Sequence, residues 1–168
     1  MRSFAALALV VLAVGLLGAG CGSSAGKTSA QTEEADQQWL TGLQAWGRSM
    51  RLTLNQMSEV FASPYAVNEI AGADRSVAAK LAGYEGTLAG CSARVRSLGP
   101  APAAYVEARR FALRACSSLE EGARLVRDGV KQFQNGNGST TLSSSIEPLS
   151  DGQSDVELAV SQVGGKAD

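Results

Sequence analysis

Residues 91–116 read CSARVRSLGPAPAAYVEARRFALRAC, and the fold follows from how this stretch divides. Gly99-Pro100 is a helix stop. Pro102 suits the first turn of a following helix, where the amide it lacks would have no intrahelical partner. Cys91, Val95 and Leu98 fall at helical spacing before the stop, and Tyr105, Ala112 and Cys116 do so after it. The stretch therefore predicts two helices joined by a short connection, each with one cysteine on its apolar stripe. A Cys91–Cys116 disulfide would staple them. The levels are a difficulty: Cys91 stands roughly six residues before the turn and Cys116 roughly 13 after it, about 10 Å apart at 1.5 Å per residue. Cα atoms more than about 7 Å apart cannot be bridged. The bridge thus requires an extended Gly99–Pro102 segment and an overhanging second helix. Two free buried thiols, each a small apolar residue, are the alternative.

The same alternation of three and four continues in both directions. Toward the N-terminus, Val77, Leu81, Tyr84 and Leu88 extend the first of these helices. Before it comes a segment with Leu40, Leu43, Met50, Leu54, Met57 and Phe61, ended by Pro64. Residues 64–73 keep the phase through Val67 and Ile70, with Gly72 against a helix there. Toward the C-terminus, Leu119, Ala123, Val126, Val130 and Phe133 prolong the helix that carries Cys116. NGNGS at 135–139 is a turn or loop. A weaker last segment holds Leu142, Ile146, Leu149, Val156, Val160 and Val163, where Pro148 and Gly152 imply a kink or break. Gly164-Gly165 ends it. Four amphipathic segments with short connections and no convincing strand predict an all-α fold, an antiparallel up-down four-helix bundle with an inter-helix disulfide. The bundle domain spans residues 38–165.

The chain opens MRSFAALALVVLAVGLLGAGCGSS. Arg2 and the amino terminus form a short positive region. Phe4–Leu17 carries no charge, and its roughly 14 residues fall short of the roughly 20 that span a bilayer. Residues 1–20 read as a secretory signal peptide, excluded from the fold. The ending Leu17-Gly18-Ala19-Gly20-Cys21 resembles a bacterial lipobox, with Leu one position further from the cysteine than usual. The resemblance implies a diacylglycerol on the Cys21 thiol and cleavage before it. Cys21 would then be an acylated first residue held at the extracytoplasmic face of the cell membrane. One acyl chain holds only marginally and two hold stably. Alanine, glycine and arginine usage likewise resembles lipoproteins of high-GC Gram-positive bacteria. Residues 21–37, polar and small, read as a flexible tether with a reach of roughly 20 Å as a coil.

Of 168 residues, 148 remain after residues 1–20, enough for one domain with a real core. The 15 basic and 16 acidic residues nearly cancel, so no basic field argues for nucleic acid. With Cys21 acylated, two of the three cysteines remain, and an even pair in an exported chain reads as a disulfide. Closing a loop of about 25 residues contributes roughly 3 kcal/mol in the chain-entropy model.

Histidine is absent, which removes the commonest general base and transition-metal ligand. Two cysteines are too few for a structural zinc site. No glycine-rich phosphate loop occurs. Glu120 and Glu121 are adjacent and point to different sides of a helix. The expectation is a non-enzymatic module without a metal or cofactor.

Three patterns are candidates for contact. Trp39 and Trp46 lie seven residues apart, as do Met50 and Met57, and the four would line an apolar-ligand pocket or simply fill the core. Arg109, Arg110, Arg114, Arg124, Arg127 and Lys131 interleave with acids. Glu120–Arg124 and Arg124–Asp128 have ion-pair spacing, so a solvated face is expected. Ala79, Gly83, Gly86, Gly90 and Ala93 form one small-residue side. Each helical glycine costs about 1 kcal/mol relative to alanine. Close packing inside the bundle would use their small size, as would a face for an envelope partner or a second copy.

Overall fold

The computed structural model describes residues 29–62, 75–135 and 140–164. Cys21, the signal peptide and residues 64–73 lie outside them. The described chain is all-α. Its elements are α1 (Ser29–Ala62), α2 (Arg75–Ala89), α3 (Cys91–Ser97), a 3₁₀ turn (Ala103–Tyr105), α4 (Val106–Gln134), α5 (Thr140–Ser143) and α6 (Ile146–Ser161). With α2 and α3 counted as one interrupted segment, four long helical segments surround a shared core.

Each segment turns its apolar stripe inward. Leu43, Met50 and Met57 of α1 meet Leu81 and Leu88 of α2, Val95 of α3, Leu119 and Val126 of α4, and Val156 of α6, all fully buried. Burying a side chain of this size contributes about 1.5–3 kcal/mol. α4 packs against α2, α3, α5 and α6, and α1 against α2, α3 and α6. Contact partners fix the directions. Cys91 meets Cys116, and Glu85 meets Arg127, so α2–α3 and α4 run oppositely. Leu119 faces Gly152 and Leu142 faces Gly129, so α4 and the α5–α6 segment do too.

The disulfide is present, with Cα atoms 5.2 Å apart. The expected mismatch in level is absorbed by the Leu98–Tyr105 connection. Gly99 has φ +80°, a conformation that favours glycine. The chain then passes through Pro102 and the 3₁₀ turn before α4 begins at Val106.

Three local expectations are corrected. α1 starts at Ser29, so residues 29–37, expected as flexible tether, are helical. Their Ala, Gln and Glu residues are good helix formers, and they continue an already packed helix without a new nucleus. The second segment is interrupted at Gly90 (φ −90°, ψ 8°), which separates α2 from α3. In the last segment the break precedes Ile146 rather than falling at Pro148 or Gly152. Pro148 sits in the first turn of α6, where no intrahelical amide is needed, and Gly152 lies within the helix.

Candidate functional site

The break at Gly90 exposes backbone groups that side chains then satisfy. Gly90 caps α3 without a side-chain hydrogen bond. Instead the Ser92 backbone N–H donates to Glu120 Oε1 across the interface at 2.8 Å. The Arg94 guanidinium donates to the Thr87 carbonyl, spanning the break. Immediately beside these, Cys91 and Cys116 are fully buried and joined. Glu120 is thereby taken from the ion pair its spacing suggested. Arg124 pairs with Glu121, through Nε at 2.9 Å, and with Asp128 at 3.2 Å.

The rest of the arginine face is also largely paired. Arg110 meets Glu107 at 2.5 Å, and Arg127 meets Glu85 at 3.0 Å. Arg114 forks onto Asp155, with Nε donating to Oδ2 at 2.5 Å, and its guanidinium lies 5.0 Å from the Phe111 ring centroid. Asp155 is nine-tenths buried, a position a carboxylate holds only when paired. Hydrogen bonding to Asp155 raises the Arg114 pKa, and hydrogen bonding to Arg124 lowers that of Glu121. This is an ion-paired, solvated face. Neither the Arg114–Asp155 fork nor the Ser92–Glu120 bond was legible in the sequence, because each joins residues on different helices.

Trp39, Trp46, Met50 and Met57 are brought together in one buried stripe of α1, each 5% exposed or less. Trp39 stacks on Tyr105, with centroids 6.0 Å apart and planes 12° from parallel. The indole Nε1 atoms of Trp39 and Trp46 are buried without a hydrogen-bond partner among the described residues, as is Arg109 Nε. Met57 also borders a groove of about 370 Å³ between α1 and α6, with Leu54, Phe61, Ile146 and Leu149. A smaller one, about 200 Å³, lies between α2 and α4 along Leu81, Val126 and Val130.

The small-residue side of α2 does not pack inside the described bundle. Gly83 and Gly86 are exposed, and a Cβ on either would meet nothing within 4 Å among the described residues. Among the described residues Gly90 would meet only the Gly86 carbonyl, at 3.8 Å. The glycines that admit close packing are others: Gly42 under Leu98, Gly47 under Val160, Gly129 under Leu142, and the Gly122–Gly152 pair. For Gly122 and Gly152 the sequence holds a matching spacing, Leu119-x-x-Gly122 and Leu149-x-x-Gly152, but it does not show that the two face each other.

Among the described residues no cluster of three or more His, Cys, Asp or Glu could hold a metal ion, and no helix is long and apolar enough to cross a membrane. No protein-family model matches the chain, and neither a curated protein nor a solved structure matches it.

Proposed function

We propose that this chain is a lipid-anchored module at the extracytoplasmic face of the cell membrane, working by contact rather than by catalysis. The observation that carries the reading is the buried Cys91–Cys116 disulfide. Structural disulfides persist in oxidising compartments. This one accounts for two of the three cysteines and leaves Cys21, at the end of the apolar leader, as the thiol available for acylation. The surface we assign to an envelope partner is the open side of α2 around Gly83 and Gly86, whose helical cost is not offset by packing within the described chain.

Intact-mass spectrometry of protein extracted from its own membrane tests the anchor. The expected mass begins at Cys21, carries a diacylglycerol, and rises by two hydrogens on reduction under denaturing conditions. A chain that retains residues 1–20 or carries no lipid overturns the anchor.

A second reading, a carrier or sensor of a small apolar ligand, is favoured by the groove beside Met57. Its volume of about 370 Å³ falls in the range of ligand sites, roughly 300–1,000 Å³. Native spectra of the same sample decide it: an added mass that leaves on denaturation supports a carrier, and its absence opposes one.

A further inference from the structure

The first ten residues of α1, 29–38, run ahead of the bundle. None is buried, and Trp39 is the first residue of α1 to enter the core. At 1.5 Å per residue this overhang is about 15 Å long. Within it, Gln38 Nε2 donates to Glu34 Oε1 at 3.4 Å, and at its base Thr41 Oγ1 donates to the Gln37 carbonyl at 2.9 Å. It carries Glu33, Glu34 and Asp36, no lysine or arginine, and only Ala30 and Ala35 as apolar residues. Helices that lie on membranes need the opposite, a broad apolar face with basic flanks.

The contacts also say which end of the bundle the overhang leaves from. Trp39 stacks on Tyr105, Gly42 lies under Leu98, and Gly47 under Val160. This end therefore gathers the start of α1, the Leu98–Tyr105 connection and the end of α6. Phe61, Ile146 and Leu149 border one groove toward the opposite end, and Val130 and Gln134 border the other.

We infer that residues 29–38 are an acidic helical spacer that holds the bundle off the bilayer, with the Trp39–Tyr105 end inward and the α1–α6 and α2–α4 grooves directed outward. The inference rests on the lipid anchor at Cys21. Seven residues, 22–28, separate Cys21 from Ser29 and can reach at most about 25 Å. The spacer therefore starts within about 25 Å of the headgroups. Lying flat would bring its three carboxylates within a Debye length, about 8 Å at physiological salt, of anionic headgroups, which repel them, so it stands rather than lies flat. A partner in the envelope space would then reach the outer end of the bundle, while the Trp39–Tyr105 end faces lipid.

The test is energy transfer to a headgroup acceptor in vesicles of phosphatidylcholine and phosphatidylglycerol bearing the lipidated chain. The donor is attached at Ala103→azidophenylalanine (inner end) or Ala62→azidophenylalanine (outer end). Transfer is expected to be stronger from position 103, and Ala35→Pro in the spacer is expected to abolish the difference. Combined Glu33→Lys, Glu34→Lys and Asp36→Lys should raise transfer on these vesicles but not on pure phosphatidylcholine. Equal transfer from the two positions, a difference that survives Ala35→Pro, or no response to charge reversal overturns the inference. The Cys21 mass is read on the same sample. If it lacks lipid, the anchor reading fails by itself, and a dialkyl maleimide coupled to Cys21 still allows the spacer to be tested.

Discussion

Leu149 of α6 occupies the space a side chain on Gly122 of α4 would need. Its Cδ2 and Cγ lie 2.6 and 2.7 Å from where a Cβ would stand. The relationship is returned one turn along, where Leu119 Cδ2 lies 2.5 Å from the corresponding position at Gly152. Because both helices carry leucine three residues before glycine and run oppositely, each leucine seats on the other's glycine. The two backbones thereby approach closely at the middle of the α4–α6 interface.

Gly122→Ala and Gly152→Ala are therefore expected to destabilise. The clash involves Cγ and approaches the partner backbone amide at 3.4 and 3.2 Å, so moving a side-chain tip does not relieve it. Overpacking of this kind costs about 1–3 kcal/mol, against a helix-propensity gain of about 1 kcal/mol. Urea midpoints at unchanged m-value would show the loss. An unchanged or raised midpoint would contradict the packing.

The same chemical change at Gly83 and Gly86 should act in the opposite direction. A Cβ there meets nothing within 4 Å among the described residues, so each alanine should add about 0.5–1 kcal/mol of stability. Comparing these two variants with the Gly122 and Gly152 pair in one denaturation series separates propensity from packing.

Glu120→Ala should cost about 1–3 kcal/mol by leaving the Ser92 backbone N–H, at a residue only 9% exposed, without its acceptor. Glu120→Gln retains a carbonyl oxygen at that position and should recover most of the loss. Equal destabilisation by both would mean that charge, not the hydrogen bond, is what α3 requires.

Removing the bridge with Cys91→Ala and Cys116→Ala together should cost about 3 kcal/mol in the chain-entropy model. Both cysteines are fully buried, so the folded protein should also resist reductant until denaturant is added. Rapid reduction of the native protein, followed by mass, would refute that protection.

Arg124 hydrogen bonds hold the Glu121 carboxyl below its ordinary 4.5. Its folded pKa is lower than its unfolded one, so its contribution is present above the unfolded value and lost as pH falls through the folded one. Acid titrations of stability for the parent and Glu121→Gln should differ at neutral pH and converge below about 4.5. The pair is exposed, so the separation will be small. Parallel curves down to the lowest pH would remove the ion pair from the account.

The sequence by itself determined the helical class, the stop at Gly99-Pro100, the inward stripes from Leu43 to Val156, and the residues that form the disulfide. These features depend on local backbone preference and on hydrophobic period, both carried by neighbouring residues. It could not assign the glycines. Gly83 and Gly122 have the same intrinsic cost, and only the position of Leu149 makes one a close-packing site while the other stands open. Nor could it place Glu120 on Ser92 rather than on Arg124, because the four-residue spacing within α4 was visible and the break at Gly90 opposite it was not. The start of α1 at Ser29 was hidden for a related reason. Polar residues without a period read as tether until a packed helix is there to continue them. Tertiary structure decided these points because each depends on what stands across an interface, and the apolar period that lets a chain announce its helices does not record their neighbours.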